Sequence, residues 1–337
     1  MNRVAIEAVA YQMAPHCVTT SALEEQILET MTRLDIEPGY IEKMCGIRER
    51  RFWDPGVRPS TAATWAANRV LEQAAISPHQ VGCLINTSVS RDYLEPSVAC
   101  FVHRNLGLRP DCINFDVSNA CLGFLDGINT VKMMIAAGQL DYGLVVNAES
   151  AREHVEHTLE LLRRPGVDHE TFHSHLPTLT VGSGAAAMLL CRADLSRSGH
   201  ILNGSVNLSA TQYNHLCLGS WNQMITKGAD MVPAAVALIR QAWRMAATKI
   251  RNWHDELIDH YIPHQIGLRQ LTIFNRALGI SDAKVRHTIQ WFGNMGPATM
   301  PITLALADEQ GQLRRGDHVV FLGVGSGLNC TMMSMTW

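Results

Sequence analysis

The chain has no uninterrupted apolar run reaching the ~18 residues that a membrane-crossing helix needs. Its N-terminal MNRVAIEAVAYQMAPHC has no basic region followed by an apolar core and a small-residue cleavage site, so a cytoplasmic location is expected. Charge of one sign is also missing: 28 Lys and Arg stand against 31 Asp and Glu. The short Arg48–Arg51 stretch is the one basic cluster, which gives no electrostatic footprint for nucleic acid. The nine cysteines are odd in number, scattered from Cys17 to Cys330, and include no CxxC pair. That excludes a disulfide framework and the usual zinc spacing, and fits a reducing compartment. What remains is 337 residues, 47% hydrophobic and 18% charged, enough for one large core or two fused ones.

Strand-like and helix-like segments alternate along that length. Arg3–Ala10 reads as a strand, Leu23–Leu34 and Thr61–Ala75 as helices, Val81–Asn86 as a strand and Pro96–Leu106 as a helix. Cys112–Val117 is then strand-like, a long helix follows, and Leu140–Ala148 closes the series as a strand. Apolar runs without clear alternation, set between helices, predict an α/β protein with a parallel sheet covered on both faces.

The stretch NFDVSNACLGFLDGINTVKMMIAAG at 114–138 stands out. A strand passes through Ser118-Asn119-Ala120 into helical spacing at Cys121, Phe124, Leu125, Ile128, Val131 and Ile135. Cys121 thus falls at a helix N-terminus, where free N–H groups and the dipole favour a thiolate; a thiol pKa lowered towards neutrality is expected. Free cysteine is also a common core residue, so position alone does not make it a nucleophile.

Three segments recur in order. GCLINTSVS (82–90), CINFDVSNACLGFLDGI (112–128) and LDYGLVVNAES (140–150) are matched by DHYIPHQIG (259–267), IQWFGNMGPATMPITLAL (289–306) and GDHVVFLGVGSG (316–327). This implies two similar αβ halves, 1–195 and 196–337, the first with a helical insertion at about 151–176. If they pack about a pseudo-two-fold, strand ends of both halves face one crevice. Cys121 then meets His264, Asn294 and the Gly323–Gly327 loop.

The order DVSNACLGF, PHQ, GNMGPA, GVGSG, with GIRERR at 46–51 and GSGAAAMLL at 182–190, resembles the thiolase superfamily, in its β-ketoacyl-acyl-carrier-protein synthase III branch. LINTSVSRDYLEPS at 84–97 and LGVGSGLNC at 322–330 are most similar to the members that join two fatty acyl-CoA molecules head to head. The resemblance implies a homodimeric acyltransferase with a layered αβαβα thiolase fold and a Cys121, His264 and Asn294 triad. It makes Cys121 the acyl-accepting nucleophile and Glu95 a base reaching the partner subunit's site. Backbone N–H groups of Cys121 and Ser326 become the oxyanion hole. It implies no cofactor and no metal, with fatty acyl-CoA as substrate; an acyl-carrier protein is the alternative carrier of the second thioester.

The chemistry asks for these groups independently. A thiolate exchanges one thioester for another at little thermodynamic cost, and the tetrahedral oxyanion needs donors fixed beforehand. Carbon–carbon bond formation needs an enolate, held by His264 and Asn294. An ordinary acyl-CoA must lose an α-proton to a base, whereas a malonyl thioester loses carbon dioxide instead. Glu95 therefore separates non-decarboxylative Claisen condensation to a β-ketoacid from its alternative, a decarboxylating synthase of fatty-acid or polyketide synthesis. Each residue also has a plainer role: Glu95 as a charge before a helix, His264 as a core histidine, Asn294 as a turn residue. A silent thiolase-fold scaffold is a third reading, against which the complete triad argues. Two departures from the wider pattern are His264-Gln265-Ile266-Gly267 where His-Gln-Ala-Asn is usual, which loses an asparagine, and Gly182-Ser183-Gly184 where Gly-Asp-Gly is common before the alanine run. His154, His157, His169, His173 and His175 have spacings that permit a metal, but the Arg- and Glu-rich segment reads as a solvated insertion that helps roof an acyl channel or contacts a partner subunit. GVGSG lies before a strand-like run rather than a helix, so it reads as a hairpin loop, not a dinucleotide fingerprint.

Overall fold

The computed structural model describes residues 2–221 and 223–337. Nine strands form one sheet: β1 Val4–Met13, β2 Cys83–Asn86, β3 Ile113–Asp116, β4 Tyr142–Glu149, β5 Gly184–Arg192, β6 His200–Ser209, β7 His260–Pro263, β8 His318–Gly325 and β9 Asn329–Thr336. Their order across the sheet is β7-β8-β9-β6-β1-β5-β4-β2-β3. From the central β1/β6 pair outward, the first half runs β1-β5-β4-β2-β3 and the second β6-β9-β8-β7. Tyr261 of β7 then bridges Val285 in parallel, where β2 pairs β3 in parallel. The same strand order with the same directions thus recurs in both halves.

The sheet is mixed, not parallel as the apolar runs suggested. β2, β3 and β4 are parallel, but β5 returns antiparallel to β4 and pairs antiparallel with β1. Burial on both faces gives a parallel and an antiparallel strand the same unalternated look, so composition does not separate them.

Five layers result. Helices α1 Pro59–Ala74 and α2 Val98–Leu106 cover one outer face. Helices α4 Gly228–Lys249 and α5 Leu268–Leu278 cover the other. Between the two sheet halves lie α3 Gly123–Ala136 and α6 Thr299–Glu309. In β5 the alternation is visible: Ala186, Met188 and Leu190 face the central helices, while Ala185, Ala187 and Leu189 face the outer pair. Helix α6 is buried almost all round, as a helix between two sheet halves must be. Close approach fixes the small residues: a β-carbon on Gly143 of β4 would lie 2.4 Å from Val131 of α3.

Outside the layers, Leu23–Leu34 is two short helices, Thr20–Glu25 and Leu28–Arg33, rather than one. The Glu24 carboxylate turns away to accept the N–H groups of Gly39 and Ile41. The inserted segment forms helices Arg152–Leu162 and His169–His175, which pack with this region in a separate apolar cluster.

Candidate active site

Both central helices begin in the same crevice. β3 ends at Asp116, and the chain turns through Ala120, whose φ of +43° is left-handed and unusual for a residue with a side chain. One 3-10 turn, Ala120–Leu122, carries Cys121 before α3 starts at Gly123. The equivalent turn before α6, Gly296–Ala298, packs against it. Asn294 stands just upstream of that turn.

Asn294 is fixed from every side but one. Its backbone donates to Thr180 O and accepts from Gly182 N at 2.9 Å each. Its Oδ1 accepts the Gly296 N–H at 2.9 Å. With the oxygen engaged, the side chain presents its NH2 as a donor. The Gly182-Ser183-Gly184 segment is the seat of the Asn294 loop. A β-carbon on Gly182 would lie 2.0 Å from Phe292 O, and Ser183 Oγ accepts the Ala151 N–H at 2.9 Å. Gly182→Ala should therefore cost roughly 1–3 kcal/mol through a forced backbone shift, read as a lowered Tm. An unchanged Tm would contradict this contact.

GIRERR braces the same loop. Arg48 N–H donates to Gln290 O, and Ser183 N–H to Arg51 O. Arg51 lies over Phe292 and Arg48 over Trp291. Arg50 is fully buried, bonded to Leu179 O, Val18 O and Thr20.

His264 follows β7, and its N–H donates to Leu322 O of β8 at 2.8 Å. Three residues further along β8, a β-carbon on Gly325 would sit 3.3 Å from Cys121 Cβ. Cys121 and His264 thus flank the end of one strand. His264 is 3% exposed, and neither ring nitrogen has a partner among the described residues. Gln265 explains the first residue after it: its Oε1 accepts the N–H groups of Thr288 and Ile289, and its Nε2 donates to Arg286 O. Gly267 leaves room for Gln270 Oε1 and Cys45 O, which a β-carbon would approach to 2.5 and 3.2 Å.

Burial drives the His264 imidazole down to about 4, against about 6.5 when unfolded. Between those values the unfolded chain binds a proton that the folded chain does not, so stability is lost as pH falls from about 6.5 to about 4. The full effect is roughly 3 kcal/mol. Tm should drop across this window, and His264→Gln should flatten that part of the slope; the same slope in the variant would contradict it.

Cys121 is half-buried, and its thiol is not lowered as its place at a helix start suggested. Burial pushes it up to about 12, with Cys217 and Glu149 adding to the rise. Dryness and a neighbouring carboxylate outweigh the helix terminus. The resting pair is a thiol and a neutral imidazole.

Ser326 opens the turn 326–328 between β8 and β9 and is half-buried. GVGSG is thus a hairpin, as read. The turn is tied to the nucleophile's segment: Asn329 Nδ2 donates to Asn119 Oδ1 at 2.9 Å, and Asn119 Nδ2 to Asp126 Oδ2 at 2.6 Å.

Glu95 lies outside this buried group, exposed on the loop between β2 and α2, with no hydrogen-bond partner among the described residues. The plain role as a helix-capping charge is already taken. Ser97 Oγ accepts the Cys100 N–H, and Asp116 accepts those of Val98 and Ala99.

An apolar crevice behind His264 is lined by Ile239, Leu271, Phe274, Leu278, Val324 and Met332. Of the methionines, Met332 lines it, Met333 lies in the core and Met133 is exposed. In the inserted segment His173 bonds Tyr40 and the His169 carbonyl, and His175 bonds the Thr171 carbonyl.

Sequence reasoning missed Glu149, at the end of β4. Its Cγ is 3.4 Å from the β-carbon position of Gly296, and burial pushes its carboxyl up to about 7. The signal available was its place at the C-terminal end of a parallel strand, where α/β sheets bind ligands.

Two central helix starts, a cysteine and an orphaned histidine around one strand end define a thiolase-fold enzyme of the synthase III class. Residues 115–207 match the family model of 3-oxoacyl-acyl-carrier-protein (ACP) synthase III, and 249–337 that of its C-terminal part. Over 336 residues, all of this chain and 99% of the relative, it is 40% identical to the acyl-CoA:acyl-CoA alkyltransferase of Xanthomonas campestris pv. campestris. The enzyme of that name from Shewanella oneidensis is 37% identical over 349 residues, again covering all of this chain and 99% of the relative. The chain belongs to this family of acyl-CoA:acyl-CoA alkyltransferases, acyltransferases of the thiolase superfamily. Solved structures of Xanthomonas campestris OleA superpose with a TM-score of 0.97. They include a cerulenin-bound form, 40% identical and covering 99% of this chain and 97% of that one. A cysteine-to-serine variant with lauric acid and lauroyl-CoA bound is 39% identical and covers 99% of each chain. Others carry substitutions at a glutamate or a histidine. Among the described residues no helix is long and apolar enough to cross a membrane.

Proposed function

We propose that the protein condenses two fatty acyl-CoA molecules head to head, without decarboxylation, at a site shared by two copies of the chain. Cys121 Sγ attacks the first thioester, CoA leaves with the proton, and the acyl group stays on sulfur. Glu95 of the partner subunit takes an α-proton from the second acyl-CoA. The enolate oxygen is held by His264, protonated on Nε2, and by the Asn294 amide. The enolate carbon attacks the acyl-Cys121 carbonyl, whose oxyanion rests on the Cys121 and Ser326 N–H groups. Collapse releases the Cys121 thiolate, which recovers a proton, and frees a β-ketoacyl-CoA; its hydrolysis gives the β-ketoacid.

The observation that carries this reading is the buried His264 with both nitrogens free, and the engaged oxygen of Asn294, which leaves its NH2 to donate, supports it. Two unspent donors in a dry pocket suit an enolate, whose charge they meet only as it develops. The comparison adds support. In Xanthomonas campestris OleA the substituted glutamate and cysteine lie 26 residues apart, the separation of Glu95 and Cys121 here. No cofactor or metal is called for. The apolar crevice behind His264 suits an alkyl chain.

Purified protein given myristoyl-CoA alone should release CoA and yield a long-chain ketone once the β-ketoacid loses carbon dioxide. Ketone that forms only when a malonyl thioester is added would overturn the reading in favour of a decarboxylating synthase.

A further inference from the structure

The loop that carries Glu95 is exposed, yet it is built rather than loose. β2 runs beside β4 beyond its last residue: Thr87 N–H donates to Val146 O at 2.9 Å, and Ala148 N–H to Ser88 Oγ at 2.8 Å. The chain then meets Glu149. Val89 N–H donates to Oε1 at 2.9 Å, as does Asn147 Nδ2 at 3.2 Å. Ser90 N–H and Oγ donate to Oε2 at 3.0 and 2.8 Å. A carboxylate offers about four acceptor sites and no donor, and here four donors fill them. Further out, Asp92 accepts from Ser60 N–H and Oγ. Arg58 lies 4.9 Å over Tyr93, whose ring meets Phe101. Glu95 emerges from this frame.

We propose that Glu149 is a positioning residue for the condensation step: its carboxylate fixes the base of the 89–95 loop and so sets where Glu95 is delivered. The assignment rests on the reading of Glu95 as the α-proton base. A neutral amide cannot do the same work. Gln at 149 has one oxygen for four donors, and its NH2 would face N–H groups that it cannot accept. The loop then leaves β4 at a different place, and a displacement of about 1 Å at the reacting groups costs about 10²-fold. Acylation of Cys121 does not use Glu95. Removing the Glu149 charge also relieves one of the influences that hold the Cys121 thiol up.

The test is a double-mutant cycle on full-length protein with myristoyl-CoA, with the burst of CoA release and ketone formation followed separately. Glu149→Gln should lower ketone formation by about 10²-fold and leave the burst within about 3-fold of wild type. Glu95→Gln with Glu149→Gln should be no worse than Glu95→Gln alone, because one residue acts through the other. Ser90→Ala, which removes one donor, should shift the same step in the same direction by a smaller factor, and it covers the case in which Glu149→Gln does not fold. Losses that multiply in the double variant, or equal loss of burst and ketone in Glu149→Gln or Ser90→Ala, would overturn the proposal. Full ketone formation by Glu95→Gln would instead sink the reading of Glu95 itself.

Discussion

Replacing Cys121 with alanine should abolish both the acyl adduct and condensation, with ketone formation down by about 10⁴-fold or more. The change removes one sulfur from a half-buried position and leaves both central helices in place, so folding should be close to wild type. Intact-mass measurement after exposure to myristoyl-CoA checks it: the wild-type adduct should be absent in the variant. The rate of adduct formation should also keep rising with pH up to about 9, because burial holds the free thiol up to about 12 and the thiolate is the attacking form. A plateau near neutral pH would mean that a bound substrate or a neighbouring group lowers it.

The second large effect falls on the other half-reaction. Glu95→Gln is isosteric, at an exposed position that caps no helix and bonds to nothing among the described residues. Stability should barely move. Cys121 should still be acylated, whereas ketone formation should fall by about 10²–10⁴-fold, the usual worth of a general base. A malonyl-dependent enzyme would lose nothing by the same change. The pair of variants thus divides the cycle: one stops it before the acyl-enzyme, the other after it.

Much of this was legible because the chemistry imposes local sequence. A strand that must turn sharply into a helix while presenting a thiol reads as DVSNACLGF, and its counterpart reads as GNMGPA. The duplicated halves were legible from segment order, and the strand order repeats it. What was not legible depends on groups distant in the chain. Glu149 meets donors about sixty residues earlier, at Val89 and Ser90, and no spacing announces that. The Cys121 thiol was misread because a helix start is visible in sequence, while the burial that outweighs it is not. The parallel sheet was misread for a similar reason, since an apolar strand carries no record of its direction. Nor does the sequence show why position 182 must be glycine, which the Phe292 carbonyl at the place of its β-carbon explains.

A site made by two copies of one chain should be restored by mixing two dead variants. Cys121→Ala lacks the nucleophile and Glu95→Gln lacks the base, so neither homodimer should make ketone from myristoyl-CoA. After the subunits are exchanged, half of the dimers are mixed and each holds one complete site, with Cys121 from one chain and Glu95 from the other. About a quarter of wild-type ketone formation should then return. No recovery, with exchange verified by native mass spectrometry, would contradict it.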